Sequence, residues 1–434
     1  MMRTIDLRGI ELATADLRTL VPRPVVNVEV ASQAAAELIG AVREHGSEAL
    51  LAQSERFDGI RPAQLRVPAE AIRAAVDGLD AGVRAALEEA IVRVRKGSAA
   101  QVPGPQTTTL ADGATVSQRW QPVDRAGLYV PGGKAALASS VVMNVVPAQA
   151  AGVRSLALAS PAQKEFGGLP HPTILAAAGL LGVDEVWAMG GAGAIGALAY
   201  GVADAGLAPV QIITGPGNIY VAAAKRLVRG VVGIDAEAGT TEILIIADRT
   251  ANPVLVAADL LSQAEHDEAA ASVLVTDSPD LATATAEALE RLVAATANSE
   301  RARTALTGPQ SAIMLVDDER VAAAVSNAYG PEHLELHTAE PHATLANVTD
   351  AGAVFVGDYS PVSLGDYIAG SNHVLPTGGA ARYSAALGAY TFLRPQQVIE
   401  YDRAALASVR DRIVSLANAE ALPAHGEAVT ARFE

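Results

Sequence analysis

Between about residues 120 and 360 short β-branched runs alternate with Ala- and Leu-rich runs, which predicts an α/β fold built on parallel sheets. Three observations carry that reading. The strand-like runs are almost continuously apolar, as strands covered on both faces must be. They number eight, too many for one small sheet, so two α/β domains are expected. Several end in glycine turns that lead into helices.

The strand candidates are 154–160, 185–190, 210–215, 231–236, 242–248, 271–277, 311–317 and 351–357. Between them 171–182, 194–202, 218–229, 253–266, 279–297 and 318–329 have helical character. Residues 26–100 read as helical and charged, with caps such as Ser47 and Pro68. The tail from about 382 reads as mostly helical without a core of its own, a segment expected to pack on another domain or subunit.

Composition narrows the function. Half of the 434 residues are hydrophobic and 18% are charged, as in a globular protein. A formal charge of −16 argues against a nucleic-acid partner, which needs a basic footprint. The chain has no cysteine, which excludes disulfides, thiolate zinc sites, iron–sulfur clusters and thiol nucleophiles. The N-terminus carries acids from Asp6 onward and lacks the apolar core of a signal peptide, and no run is long enough to span a membrane. A cytoplasmic protein without a membrane partner is expected.

Glycine turns stand at 130–134 (VPGGK), 189–196 (MGGAGAIG) and 214–218 (TGPGN). The second holds Gly191-x-Gly193-x-x-Gly196 between a strand and a helix, the setting of a dinucleotide fingerprint. The motif is weak here, because Gln211 stands where an acidic ribose partner belongs. Gly132-Gly133-Lys134 is not a P-loop, since Ala135 replaces Ser or Thr, and no GxSxG elbow exists.

Six of the eight histidines follow residue 260. Gln263 and His266 are spaced i, i+3 and share a helix face, although a solvated helix end has the same pattern. Glu332-His333 follows a Gly-Pro turn, where a loop either presents both to a cleft or leaves them exposed. Asp366 lies in a stretch, 360–379, with no helical period: a linker or an active-site loop. His425 stands in the tail, where surface exposure is the plain reading. Together Gln263, His266, Asp366 and His425 offer two oxygens and two nitrogens, a set suited to Zn²⁺ or Mn²⁺.

YVPGG, GGAGAI, GPGN, DLLSQAEH, YGPEHLE, GDY-x₄-SNHVLPT and the tail E-x₄-H occur here in one order, and in that order the chain resembles the histidinol dehydrogenases over nearly its whole length. The resemblance implies two incomplete Rossmann-like domains with small, mainly helical terminal segments. The expected division is 1–25; 26–128 and 242–381, together the first α/β domain; 129–241, the second; and 382–434, a helical tail packing on the partner of a homodimer.

The resemblance also implies zinc ligands at Gln263, His266, Asp366 and His425, and Glu332 with His333 as the acid–base pair. Substrate contacts would fall on Thr241, His373 and Glu420, besides His333 and the ligands. NAD would meet Tyr129, Gly193 and Asn218. Gly193 stands where the family often has Gln, so a side-chain bond to the cofactor is lost. Thr241 replaces a common Ser and keeps its hydroxyl.

The implied reaction takes an alcohol to a carboxylate, a four-electron oxidation that consumes two NAD⁺ in turn. With no cysteine to capture the aldehyde, the second step runs through a hydrate. Glu332 is assigned to activate water and His333 to accept the alcohol proton. A related dehydrogenase with another hydroxyl substrate, and a non-enzymatic binding protein, are the alternatives.

Overall fold

A computed structural model of the chain describes residues 2–12, 15–23, 28–132, 136–237 and 239–434. They form two compact units: residues 1–101 with 124–392, and residues 102–123 with 393–434.

The first unit holds two parallel sheets. The five-stranded sheet has the spatial order Val186–Ala188, Ser155–Ser160, Arg125–Tyr129, Ile212–Thr214, Gly233–Ile234. The six-stranded sheet has the order Arg3–Asp6, Ala312–Leu315, Ala271–Thr276, Glu242–Ala247, His333–His337, Ala353–Val356. Setting aside the N-terminal edge strand Arg3–Asp6, both sheets start centrally, run outward through two strands, and return across the start. That reversal is the switch point of a doubly wound fold. The expected fold class is the observed one.

Apolar strand residues feed cores on both faces of the six-stranded sheet. Ile243 and Ile245 pack with the helices Pro253–Ala264 and Pro279–Ala295, and Leu244 and Ile246 with the helix Glu319–Tyr329. In the five-stranded sheet, Ala157, Trp187 and Ile213 pack under Val28–Phe57, Gly191–Tyr200 and Ile219–Val228. No helix among the described residues is long and apolar enough to cross a membrane.

The second unit is an antiparallel sheet of Leu393–Tyr401, Ala114–Pro122 and Gln106–Ala111, with helices Arg403–Ala419 and Pro423–Thr430. The strand Leu393–Tyr401 lies in the tail that the sequence reads as mostly helical, and the other two lie beyond the helical stretch 26–100, where no strand is expected. Their side chains are mostly exposed and polar, so they lack the apolar runs that mark the parallel strands.

Candidate active site

Thr241 and Glu242 open one central strand of the six-stranded sheet, and Glu332 and His333 open its neighbour. The register pairs His333 with Ile243, which sets the two strand starts side by side. The residue Glu242 fixes Glu332 and His333 through its main chain. Its N–H donates to Glu332 Oε2 at 2.8 Å, and its carbonyl accepts from His333 Nδ1 at 3.2 Å. That bond puts the His333 proton on Nδ1 and leaves Nε2 free to accept one.

Both side chains are buried. Glu332 is held up at about 8 by burial, against the donated Thr241 and Glu242 bonds, with the charges of Glu242 and Asp366 adding to the rise. Burial lowers His333, with Asp366 opposing it. A neutral imidazole beside a carboxyl group of raised pKa suits proton transfer near neutrality. The His333 ring nitrogen lies 3.5 Å from Glu332 Oε2, so the pair is one electrostatic unit.

A hydrogen-bonded line runs from this pair into the helix Pro253–Ala264. Gln263 Nε2 donates to Thr241 Oγ1 at 2.5 Å, and Thr241 donates to Glu332 at 2.6 Å. With its amide nitrogen so used, the Gln263 side-chain oxygen is buried and unpartnered. A buried acceptor without a donor is costly, and a cation would satisfy it. His266 lies just beyond the helix end and is exposed. Its Nδ1 donates to the Ser262 carbonyl at 3.1 Å, which leaves Nε2 as a ligand atom. The sequence extends this helix to 266, whereas it ends at Ala264.

Asp366 lies on a short helix, Val362–Tyr367, within the stretch read as having no helical period; six residues with Gly365 among them leave no period to detect. Its carbonyl accepts from His373 Nδ1 at 2.8 Å, and His373 Nε2 faces Ser140 Oγ at 3.0 Å. Burial lowers His373, and the charges of Asp366, His333 and His266 also act on it. Thr241, Gln263, His266, Glu332, His333, Asp366 and His373 are thereby linked by bonds and fields within one unit. The orphaned Gln263 oxygen and the free His266 nitrogen fit a bound divalent ion. Glu420 caps the helix Arg403–Ala419 and His425 lies on Pro423–Thr430, both exposed in the second unit.

The candidate cofactor loops sit at the carboxyl ends of the five-stranded sheet. Tyr129 is buried, its hydroxyl accepts from Gly191 N at 3.1 Å, and burial pushes it up to about 12. Asn218 caps the helix Ile219–Val228, accepting from Tyr220 N and Val221 N at 3.0 and 3.2 Å. Gly193 is covered by the Gln53 side chain, which occupies the position a Cβ would take; Gly196 packs likewise on Ile39. Gly193 and Gly196 therefore serve close packing against the helix Val28–Phe57. Gly133 and Lys134 of the VPGGK turn lie outside the described residues.

Two ion pairs with buried carboxylates escape the sequence reading. Glu242 is bound by Arg23 at 2.7 Å, by the Tyr329 hydroxyl at 3.3 Å and by Gly378 N at 3.1 Å, so the residue that pins Glu332 and His333 is itself anchored. Lys225 pairs with Asp235, and together they grip both main-chain polar groups of Gly215, at 3.0 and 2.8 Å. One charge heading an otherwise apolar strand, as in EILIIA, is the signal that could have found Glu242.

Residues 21–433 match the family model for histidinol dehydrogenase. The chain is 67% identical over 433 residues to a histidinol dehydrogenase of Leifsonia xyli subsp. xyli, covering 100% of this chain and 99% of that one. The chain belongs to the histidinol dehydrogenase family. The family likeness extends to a Nocardia farcinica relative, 59% identical over 99% of this chain and 97% of its own. It extends equally to the crystal structure of histidinol dehydrogenase from Elizabethkingia anophelis. That structure superposes with a TM-score of 0.93 at 32% identity, covering 100% of this chain and 98% of that one. Family membership makes the chain an enzyme, an oxidoreductase.

Proposed function

We propose that the chain oxidises L-histidinol to L-histidine through a bound aldehyde, using two NAD⁺ in succession, as a cytoplasmic enzyme of histidine biosynthesis. The observation that carries this reading is the line Gln263–Thr241–Glu332 beside His333, fixed on the main chain of Glu242. His333 Nε2 accepts the hydroxyl proton in each oxidation. Glu332, its carboxylate steadied by Thr241 and the Glu242 N–H, takes a proton from the water that adds to the aldehyde carbon, and protonated His333 returns its proton to the aldehyde oxygen. NAD⁺, received at the Tyr129, Gly193 and Asn218 loops, supplies the hydride acceptor. One Zn²⁺ per subunit, replaceable by Mn²⁺, would be held by Gln263, His266, Asp366 and His425 and would supply a fixed positive charge that orients the substrate's nitrogens. His373 and Glu420 would contact the substrate.

The proposal includes a homodimer in which Glu420 and His425 of each tail complete the other chain's site. NADH formed from L-histidinol is the test: two per histidine produced, none after exhaustive chelation, and recovery with Zn²⁺ or Mn²⁺. Full turnover by protein shown to be metal-free sinks the metal assignment. In the same assay, Gln263→Ala and His425→Asn chains unfolded and refolded together regain about a quarter of the activity if tails are exchanged, because random pairing leaves one intact site in half the dimers. No recovery in confirmed mixed dimers rules the exchange out.

A further inference from the structure

The strand His333–His337 carries ionisable groups that the reaction does not use. Alternate strand residues share a face, so Glu335 and His337 point the same way as His333. Opposite them on the helix Pro253–Ala264 stands Asp259, one turn before Gln263. His337 Nε2 lies 3.3 Å from Glu335 Oε2 and 3.8 Å from Asp259 Oδ2, and the three ligand atoms are all within 4.8 Å of one another. The Glu335 and His337 side chains are 1% and 2% exposed, and that of Asp259 14%.

A buried imidazolium bridging two carboxylates is the competing account. In that account one Nε2–H would serve both carboxylates, but only Glu335, at 3.3 Å, is within hydrogen-bond distance, and Asp259 at 3.8 Å lies beyond it. Ligands held about 2.0–2.2 Å from a tetrahedral ion stand roughly 3.3–3.6 Å apart, the spacing that 3.3 and 3.8 Å bracket. The far side of the ring supplies a second argument. His337 Nδ1 faces Asp358 Oδ1 at 3.3 Å, the carboxylate–histidine arrangement that orients metal-ligating imidazoles and turns the Nε2 lone pair inward. Glu335 Oε1 accepts from Val362 N at 2.7 Å, which fixes Oε2 toward the same point.

We propose that Asp259, Glu335 and His337 bind a second divalent transition-metal ion, Zn²⁺ or Mn²⁺, separate from the Gln263 and His266 set. Two carboxylates and a neutral imidazole balance its charge and supply the mixed oxygen and nitrogen donors such ions prefer. The ion braces the strand that bears His333 against the helix that bears Gln263. This inference does not depend on the proposed reaction.

Crystals of the full-length protein equilibrated with Zn²⁺, measured on both sides of the zinc absorption edge, test it directly. An anomalous peak is expected about 2.0–2.2 Å from His337 Nε2, with Glu335 and Asp259 oxygens around it. Equilibrium dialysis against Zn²⁺ with elemental analysis should find one equivalent per chain fewer in the Glu335→Gln/His337→Gln double variant. The equivalent lost in His266→Asn should be a different one, so the two losses add. A zinc-loaded map without density at His337, or unchanged stoichiometry in a folded double variant, overturns the site. Zinc found only beside Gln263 and His266 upholds the proposed function and removes this second site.

Discussion

In the five-stranded sheet the candidate cofactor loops leave the carboxyl ends of Arg125–Tyr129, Val186–Ala188 and Ile212–Thr214. In the six-stranded sheet Thr241, Glu332 and His333 stand instead at the amino ends of their strands. Strand order is the same in both, so the difference lies in which end of the layer is used. At carboxyl ends helices begin, with unpaired N–H groups and a positive dipole end that favours anions such as a pyrophosphate. At amino ends helices finish, and the negative end of Pro253–Ala264 lies beside Gln263 and His266. That end favours cations. One topology thus supplies an edge suited to anions and an edge suited to cations, and the side chains follow suit. Main-chain groups and glycines dominate the first, carboxylates and histidines the second.

The largest expected effect strikes the cation edge. His333→Asn removes the only proton acceptor assigned to both oxidations and should lower each by about 10²–10⁴-fold. Glu332→Gln should slow aldehyde oxidation more than alcohol oxidation, because only the aldehyde step adds water. Single-turnover assays started from each substrate measure both, and equal damage by Glu332→Gln would show the division of roles to be wrong.

At the other edge the backbone is the reagent, and Lys225→Met attacks its support. Breaking a buried pair costs about 3–5 kcal/mol because a charge is left unpaired, here that of Asp235. Adding Asp235→Asn should return part of that stability. In the double variant KM for NAD⁺ should rise while Zn²⁺ bound at Gln263 and His266 is unchanged. If the KM for NAD⁺ stays the same, the pair does not support the cofactor loop.

A smaller effect concerns pH. Glu332 is raised from 4.5 to about 8 in the folded chain, so it holds a proton that the unfolded chain releases. Its contribution to stability is complete below 4.5 and is lost as pH rises through 8. Metal-free protein should therefore melt at lower temperature as pH climbs across that window, by on the order of a few °C. Calorimetry of Glu332→Gln should give a flatter profile, and identical pH slopes would remove Glu332 as the cause.

The apolar strands and their helices are legible because burial on both faces leaves unbroken runs such as EILIIA and ASVLVT. His333–His337 is not, and the Gly-Pro turn before Glu332-His333 points to a loop instead. HLELH alternates ionisable and apolar residues, a pattern that normally marks one wet face, yet every one of its side chains is buried. Tertiary pairing supplies what local pattern cannot: the neighbouring strand Glu242–Ala247 and the helix Pro253–Ala264 cover the polar side. Of the candidate site, Gln263, His266, Asp366 and His425 are legible as a donor set only when taken together, and the roles given to them and to Glu332 and His333 come from the family resemblance. The groups behind them, Arg23, Ser140 and Lys225, are not legible, because a lone cation or hydroxyl in sequence carries no sign of its distant partner.

The alternation in His333–His337 also has a bearing on how the chain reaches its native state. Sliding this strand by one position against Glu242–Ala247 would drive three ionisable side chains into the layer of Leu334 and Leu336, and would bring those leucines to the polar face. Such a misaligned sheet would pay for buried charge at once and could not persist as a stable but inactive isomer. Correct alignment and the placing of Glu332 beside His333 are therefore a single event. Refolding yield measured by protein mass should equal yield measured by turnover, with no long-lived dead fraction between them.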